Sequence, residues 1–95
     1  MKKYEIMYII RPTVLEDERV ALIEELSNIF TSRGAEILKT SEWGTRELAY
    51  EIEKHKKGYY VVLDVLTSEE ARAEFDRVVR IKEDIIRYLI LKDER

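Results

Sequence analysis

Two segments of the chain, Tyr4–Arg11 and Tyr59–Leu66, are apolar in both of their alternating positions. A strand with one face in water alternates apolar and polar residues, whereas a strand that is covered on both faces does not. We therefore predict that both segments are central strands of a sheet. Pro12 ends the first of them, because proline cannot donate a hydrogen bond to a neighbouring strand.

A helix is predicted between these strands, from about Leu15 to Arg33. Its apolar residues recur at helical spacing, and acidic residues fill its first turn, where they favour a helix N-terminus. Thr13 and Glu16 have the spacing of a capping box, and Gly34 is a natural terminator.

A long strand, Glu36–Ile52, is predicted next, with a bulge or kink at Gly44. We expect the turn that follows it to consist of residues 55–58, which are two lysines between a histidine and a glycine. The residues expected to face the core from the end of this strand are Leu48, Tyr50 and Ile52.

The last two predicted elements are a helix capped by Ser68, which ends near Arg80 or Ile81, and a strand over Ile85–Lys92. The order is then β-α-β-β-α-β, which is the split βαβ or ferredoxin-like arrangement of the α+β class. It consists of a four-stranded antiparallel sheet with two helices on one face, and its first and third strands are central. The two doubly apolar segments occupy these two places.

Length and composition exclude several classes of protein. The 95 residues (1–95) suffice for one domain with a modest core. The net charge of −3 argues against coating nucleic acid by bulk electrostatics, and the absence of cysteine excludes disulfides and thiolate chemistry. With no long apolar run and no signal-peptide pattern, we expect a soluble, cytoplasmic protein without a membrane partner.

Two helices cover only one face of such a sheet. We call the uncovered face the open face. It is expected to be too apolar to be exposed only to solvent, and exposed apolar patches usually mark interaction sites. The residues predicted to bind a protein partner there are Met7, Ile9, Tyr60, Val62, Leu89 and Leu91.

The basic residues are informative by their location. Scattered lysines and arginines can position a phosphate backbone without reading sequence. The residues predicted to contact RNA in this way are Lys2, Lys3, Arg46, Lys54, Lys56, Arg80 and Arg87.

Catalysis and metal binding are poorly supported. His55 is the single histidine, and its alternation with Glu51 and Glu53 fits a solvated strand face better than a set of metal ligands. The three glycines are too far apart for a phosphate-binding loop. The residues after Pro12 also lack the glycine-rich anion loop of an acylphosphatase-type enzyme. We expect no cofactor, no metal and no enzymatic activity.

The chain resembles the bacterial small-subunit ribosomal protein six (S-six) family over essentially its whole length. The most specific element is Gly44-x-Arg46-x-Leu48-Ala49-Tyr50 with the downstream pair Gly58-Tyr59. The other segments that carry the resemblance are residues 3–5 (KYE), 7–12 (MYIIRP), 34–35 (GA), 75–77 (FDR) and 85–87 (IIR).

This resemblance implies a ferredoxin-like structural protein of the ribosome. It also implies binding to the central domain of small-subunit (16S) ribosomal RNA together with the basic ribosomal protein eighteen of the small subunit. The chain departs from the family in carrying Glu47 where a basic residue is common, and in lacking the long C-terminal tail of some members. Both departures weaken the case for strong RNA binding by the isolated chain, which we expect to be a monomer.

Two alternatives share this topology. One is an oligomerising ferredoxin-like module that senses a small ligand at its interface. The other is a degenerate RNA-recognition motif, since Lys57-Gly58-Tyr59-Tyr60 resembles the start of its signature. That motif also places a stacking aromatic on the first strand, where this chain has Met7 and Ile9.

Overall fold

The structure, a computed structural model, describes residues 1–93. It confirms the order β-α-β-β-α-β and the ferredoxin-like arrangement. The elements are β1 (Lys2–Ile10), α1 (Glu16–Thr31), β2 (Glu36–Ile52), β3 (His55–Thr67), α2 (Glu69–Ile81) and β4 (Ile85–Lys92).

The four strands form one antiparallel sheet in the order β2-β3-β1-β4. The prediction that the first and third strands are central is therefore confirmed. Tyr8 pairs with Val61 of β3 on one side and with Tyr88 of β4 on the other. β1 therefore has a hydrogen-bonded neighbour along both edges, and it carries apolar side chains on both faces of the sheet.

The core lies between the two helices and one face of the sheet. Side chains from β1 and β3 are fully buried there, and Phe30 of α1 stacks on Phe75 of α2 with 4.9 Å between ring centroids. Such an aromatic pair adds to the free energy gained from burial alone. The fully buried apolar sheet residues on this face are Ile6, Tyr8, Ile10, Val61, Leu63 and Val65.

The two helix starts differ from each other. Ser68 caps α2 as predicted, since its hydroxyl accepts a hydrogen bond from the Ala71 N–H at 3.2 Å. The capping box predicted at Thr13 is wrong: Leu15 is the N-cap of α1, and no side chain caps this helix. The reason is a turn over residues 11–14, in which the Val14 N–H donates to the Arg11 carbonyl, so that Thr13 stays outside the helix.

The turn predicted at residues 55–58 is also wrong. Glu53 and Lys54 form the turn between β2 and β3, both with positive φ (50° and 70°), and β3 already begins at His55. Two central residues with positive φ suit the twist of a tight hairpin. The predicted bulge is confirmed, because the pairing register shifts between Glu42 and Gly44, and Gly44 has φ of 84°.

Candidate protein and nucleic-acid interface

The open face is an apolar strip that runs across three strands. Met7 pairs with Val62 on one side and with Leu89 on the other, so the three side chains lie next to each other on this face. Ile9 lies between Tyr60 and Arg87 in the same way. The six residues predicted to bind a protein partner therefore share one surface, and Leu89 and Leu91 are about half exposed on it.

The end of β2 lines this face instead of the core. Leu48 and Ile52 are only partly buried and Tyr50 is exposed, so the prediction that these three residues face inward is wrong. The physical reason is that the pairing of β2 with β3 loses its regular register between Glu47 and Ile52, so simple alternation does not place these side chains on the core face. A groove of about 260 Å³ results, which we call the open-face groove, lined by Met7, Ile9, Leu48, Tyr50, Ile52, Tyr60, Arg87 and Leu89 among others.

Gly58 allows Ile9 to pack closely against β3 inside this groove. A side chain at position 58 would collide with the Cγ2 methyl of Ile9. With glycine there, Ile9 is only 3% exposed, although it lies on the face that has no helices. The glycine that was predicted to make a turn is thus a packing residue in β3.

An arginine and two aromatic rings form a second feature of the open face, on its β2 side. The Trp43 and Tyr60 rings are nearly parallel (9°), with 6.2 Å between their centroids. The guanidinium carbon of Arg46 lies 5.3 Å from the Trp43 centroid, and its Nε donates a hydrogen bond to the Trp43 carbonyl at 3.4 Å. Cation–π attraction favours this placement of the guanidinium.

Comparison with known proteins decides the family. The model of the family described as ribosomal protein S6 matches residues 3–92. The chain belongs to the ribosomal protein S6 family. The crystal structure of 30S ribosomal protein S6 from Thermotoga maritima is similar, with a TM-score of 0.92 and 33% sequence identity over 97% of this chain and 87% of that one.

This S6-family chain is therefore a structural protein of the small ribosomal subunit and not an enzyme. Within residues 1–93, no group of three or more His, Asp or Glu side chains could hold a metal ion. The pattern of Glu51, Glu53 and His55 accordingly makes no such cluster. Neither α1 nor α2 is long and apolar enough to cross a membrane, and no other helix occurs in the described part of the chain.

The seven basic residues predicted to contact RNA do not form one patch in this S6-family fold. Arg46 and Arg87 border the open face, and Lys54 and Lys56 lie at the tip of the β2–β3 hairpin. The other three lie elsewhere: Lys2 and Lys3 are at the opposite end of β1, and Arg80 is on α2.

Several of these cations already have partners within the chain. Lys3 pairs with Asp93 at 3.5 Å, and Arg80 pairs with Asp76 at 2.8 Å. Arg46 differs, since no carboxylate in residues 1–93 lies within ion-pair distance of it and it keeps N–H donors for a ligand.

Two tyrosine-centred contacts hold α2 on the sheet, away from the open face. The Tyr4 hydroxyl donates to Glu69 at 2.7 Å, and the Arg72 guanidinium pairs with the same carboxylate at 2.6 Å. These contacts lower the pKa of Glu69, mainly through the Tyr4 hydrogen bond, and raise the pKa of Tyr4. Further along α2, the Tyr88 hydroxyl donates to Asp76 at 2.7 Å.

Trp43 and Tyr50 lie on the open face but are not among the site residues predicted from the sequence. Trp43 is the extra residue of the bulge next to Gly44, and a bulge re-aims a side chain in a way that simple alternation does not predict. A tryptophan directly before a glycine inside a strand was the available signal. Tyr50 was missed because its alternation with Leu48 and Ile52 is the same on either face of a sheet.

Proposed function

We propose that this S6-family protein binds the central domain of small-subunit (16S) ribosomal RNA together with the basic ribosomal protein eighteen of the small subunit, on the ribosome in the cytoplasm. The observation that carries the proposal is the contiguous apolar open face. Met7, Val62 and Leu89 lie side by side there without helix cover. Monomeric proteins rarely leave such a surface in water unless a partner uses it.

The charge of the chain supports a basic partner. With a net charge of −3, the protein gains little from bulk attraction to RNA, and a basic partner supplies the missing positive potential. The acidic residues of the first helix are Glu16, Asp17, Glu18, Glu24 and Glu25, and α1 lies on the covered face. Because these carboxylates repel RNA phosphates, RNA is expected to approach from the side of the sheet and the β2–β3 hairpin.

Arg46 and Arg87 are the cations best placed for phosphate. Both border the apolar strip, so a partner protein on the strip and an RNA backbone beside it can touch the chain together. Lys54 and Lys56 extend this basic edge along the hairpin tip. Lys2, Lys3 and Arg80 lie too far around the molecule to share that contact, so we assign them to a second RNA segment.

An electrophoretic mobility shift with central-domain RNA tests the proposal. The wild-type chain is titrated into the RNA with and without a fixed, saturating concentration of ribosomal protein eighteen. We expect weak binding alone and at least tenfold tighter binding with the partner. Equal and negligible binding in both series would contradict the proposal.

The oligomeric state of the free chain provides an independent check. We propose that the free chain is a monomer whose open face binds a different protein rather than a second copy of itself. Light scattering behind size exclusion should give one chain mass at micromolar concentration. A tight homodimer would favour the ligand-sensing module that shares this fold and would use the same apolar surface.

A further inference from the structure

Trp43 is a large aromatic side chain that the fold leaves half in water. It is 48% exposed, even though Tyr60 and Arg46 both lie against it. The 6.2 Å between the two ring centroids, with nearly parallel planes, is an offset arrangement. Nearly half of the Trp43 surface therefore remains accessible to a third planar group, next to the Arg46 guanidinium that lies over the ring.

The surroundings of Trp43 favour a planar, negatively charged ligand over an apolar one. Trp43 lies on edge strand β2, whereas the half-exposed leucines of the apolar strip lie on the opposite edge strand, β4. The Arg46 guanidinium lies over the indole ring, and no carboxylate of residues 1–93 is within ion-pair distance of it. An aromatic platform next to a free cation is the combination that single-stranded nucleic acid uses, through base stacking and phosphate contact.

The sheet supplies a physical reason for the position of this platform. Stacking of bases on a four-stranded sheet needs aromatic rings on its uncovered face. The uncovered residues of β1 in this chain, Met7 and Ile9, are aliphatic, and Ile9 is almost fully buried. Trp43 and Tyr60 lie together on this face next to Arg46, whereas Tyr50, another ring on the face, already holds the Arg87 guanidinium by a hydrogen bond.

We propose that Trp43 stacks on an unpaired base of the ribosomal RNA, with Arg46 on the adjoining phosphate. This inference rests on the proposed function and assigns a residue and an interaction type to it. The bulge at Gly44 turns the indole onto the Tyr60 ring, and Tyr60 supports it from below. The contact selects for single-stranded RNA, because a base inside a duplex has no free face to stack.

The test compares three variants in the complex with saturating ribosomal protein eighteen and central-domain RNA. Trp43→Leu keeps apolar bulk and removes the π-face, Trp43→Phe keeps a π-face, and Leu38→Ala is the matched control. Leu38 is also on β2, lies at another register shift and is 47% exposed. Thermal unfolding of each variant verifies that it is folded.

We expect Trp43→Leu to raise the Kd for RNA about five- to 150-fold, the range for the loss of one base–aromatic stack. Trp43→Phe should stay within about threefold of wild type, and Leu38→Ala within about twofold. A Trp43→Leu Kd equal to that of Leu38→Ala would overturn the proposal.

The binary complex with ribosomal protein eighteen, measured without RNA, separates a base from a protein partner. Trp43→Leu should leave the Kd of that complex unchanged. An equal loss of affinity with and without RNA would place Trp43 in the protein interface and overturn the inference while leaving the proposed function intact. If the wild-type chain does not bind the RNA in the presence of ribosomal protein eighteen, the proposed function and the inference about Trp43 are both wrong.

Discussion

Arg87 and Tyr50 lie on the two opposite edge strands of the sheet, and the guanidinium of Arg87 donates a hydrogen bond to the Tyr50 hydroxyl. The Arg87 Cζ atom also lies 5.7 Å from the centroid of the Tyr50 ring. Since β3 and β1 separate these edges, the end of β2 must fold across the open face to make the contact. The contact therefore closes one side of the open-face groove.

Tyr50→Phe should loosen the hairpin without unfolding the domain. The variant loses the hydrogen-bond acceptor but keeps the ring, and both side chains are exposed, so the free energy of unfolding should fall by less than about 1 kcal/mol. Amide exchange at residues 47–57 should become several-fold faster, while the β1 and β3 core amides keep their protection. The control is Tyr60→Phe, on the same face, whose hydroxyl makes no hydrogen bond within residues 1–93. Equal exchange in the two variants would mean that the Arg87 contact does not hold the hairpin.

Gly58→Ala should destabilise the fold by about 1–3 kcal/mol, because the new methyl collides with the Cγ2 of Ile9. In the Ile9→Ala background this atom is absent, so the extra cost of Gly58→Ala should fall below about 0.5 kcal/mol. Gly34→Ala is the control: it has open space but φ of 78°, so it should cost about 1 kcal/mol in either background. Urea denaturation measures all of these. A Gly58 cost that does not depend on residue 9 would contradict the packing role.

These glycines also show which parts of the fold the sequence could predict. The apolar residues in both alternating positions of β1 and β3 identified the two central strands, because a strand between two others keeps apolar side chains on both of its faces. The hairpin turn was misplaced because Gly58 looked like a turn residue, whereas the turn uses Glu53 and Lys54 at positive φ. Only the pairing register reveals that position 58 must be small, since the residue it would strike, Ile9, is 49 positions away in the chain.

The candidate site was predicted less completely than the fold. The apolar residues of the open face followed from strand parity, and they do share one surface. The orientation of Trp43 depends on a bulge, and that of Tyr50 on the register shift near the end of β2, and neither leaves a periodic signal. The basic residues could not be grouped from sequence, because the distances between them depend on how the strands and helices pack in the folded chain.

The pKa of Glu69 should rise when its tyrosine partner is removed. In wild type this pKa lies below its ordinary value, first because of the Tyr4 hydrogen bond and then because of Arg72. The ionised Glu69 therefore stabilises the fold at pH values above the ordinary carboxyl pKa. This stabilisation is lost as the pH falls through the lowered pKa of Glu69. In Tyr4→Phe, an NMR titration of the side-chain carboxyl should show the Glu69 pKa closer to its ordinary value. Glu74, whose pKa is lowered mainly by Arg77, is the internal reference and should not move.

Arg46→Gln should weaken assembly of the ribonucleoprotein while leaving the fold nearly intact. The side chain is exposed and makes no ion pair in the described chain, so its loss should change stability by less than about 0.5 kcal/mol. RNA affinity with the partner present should fall several-fold. The slope of the logarithm of the binding constant against the logarithm of salt concentration should become shallower by about one. Arg77→Gln, on the outer side of α2, is the control and should leave affinity unchanged. Wild-type affinity and salt slope in Arg46→Gln would remove this residue from the site.

The most direct measurement is methyl NMR of the labelled chain during titration with unlabelled ribosomal protein eighteen. Met7, Leu89 and Leu91 report on the open face, and Leu15 and Val20 report on the helix side, where they are likewise exposed. We expect large shifts or broadening of the three sheet methyls and no change in the two on the helix side. Perturbation of Leu15 and Val20 with unchanged sheet methyls would show that the partner binds the other face, and the proposed interface would then be wrong.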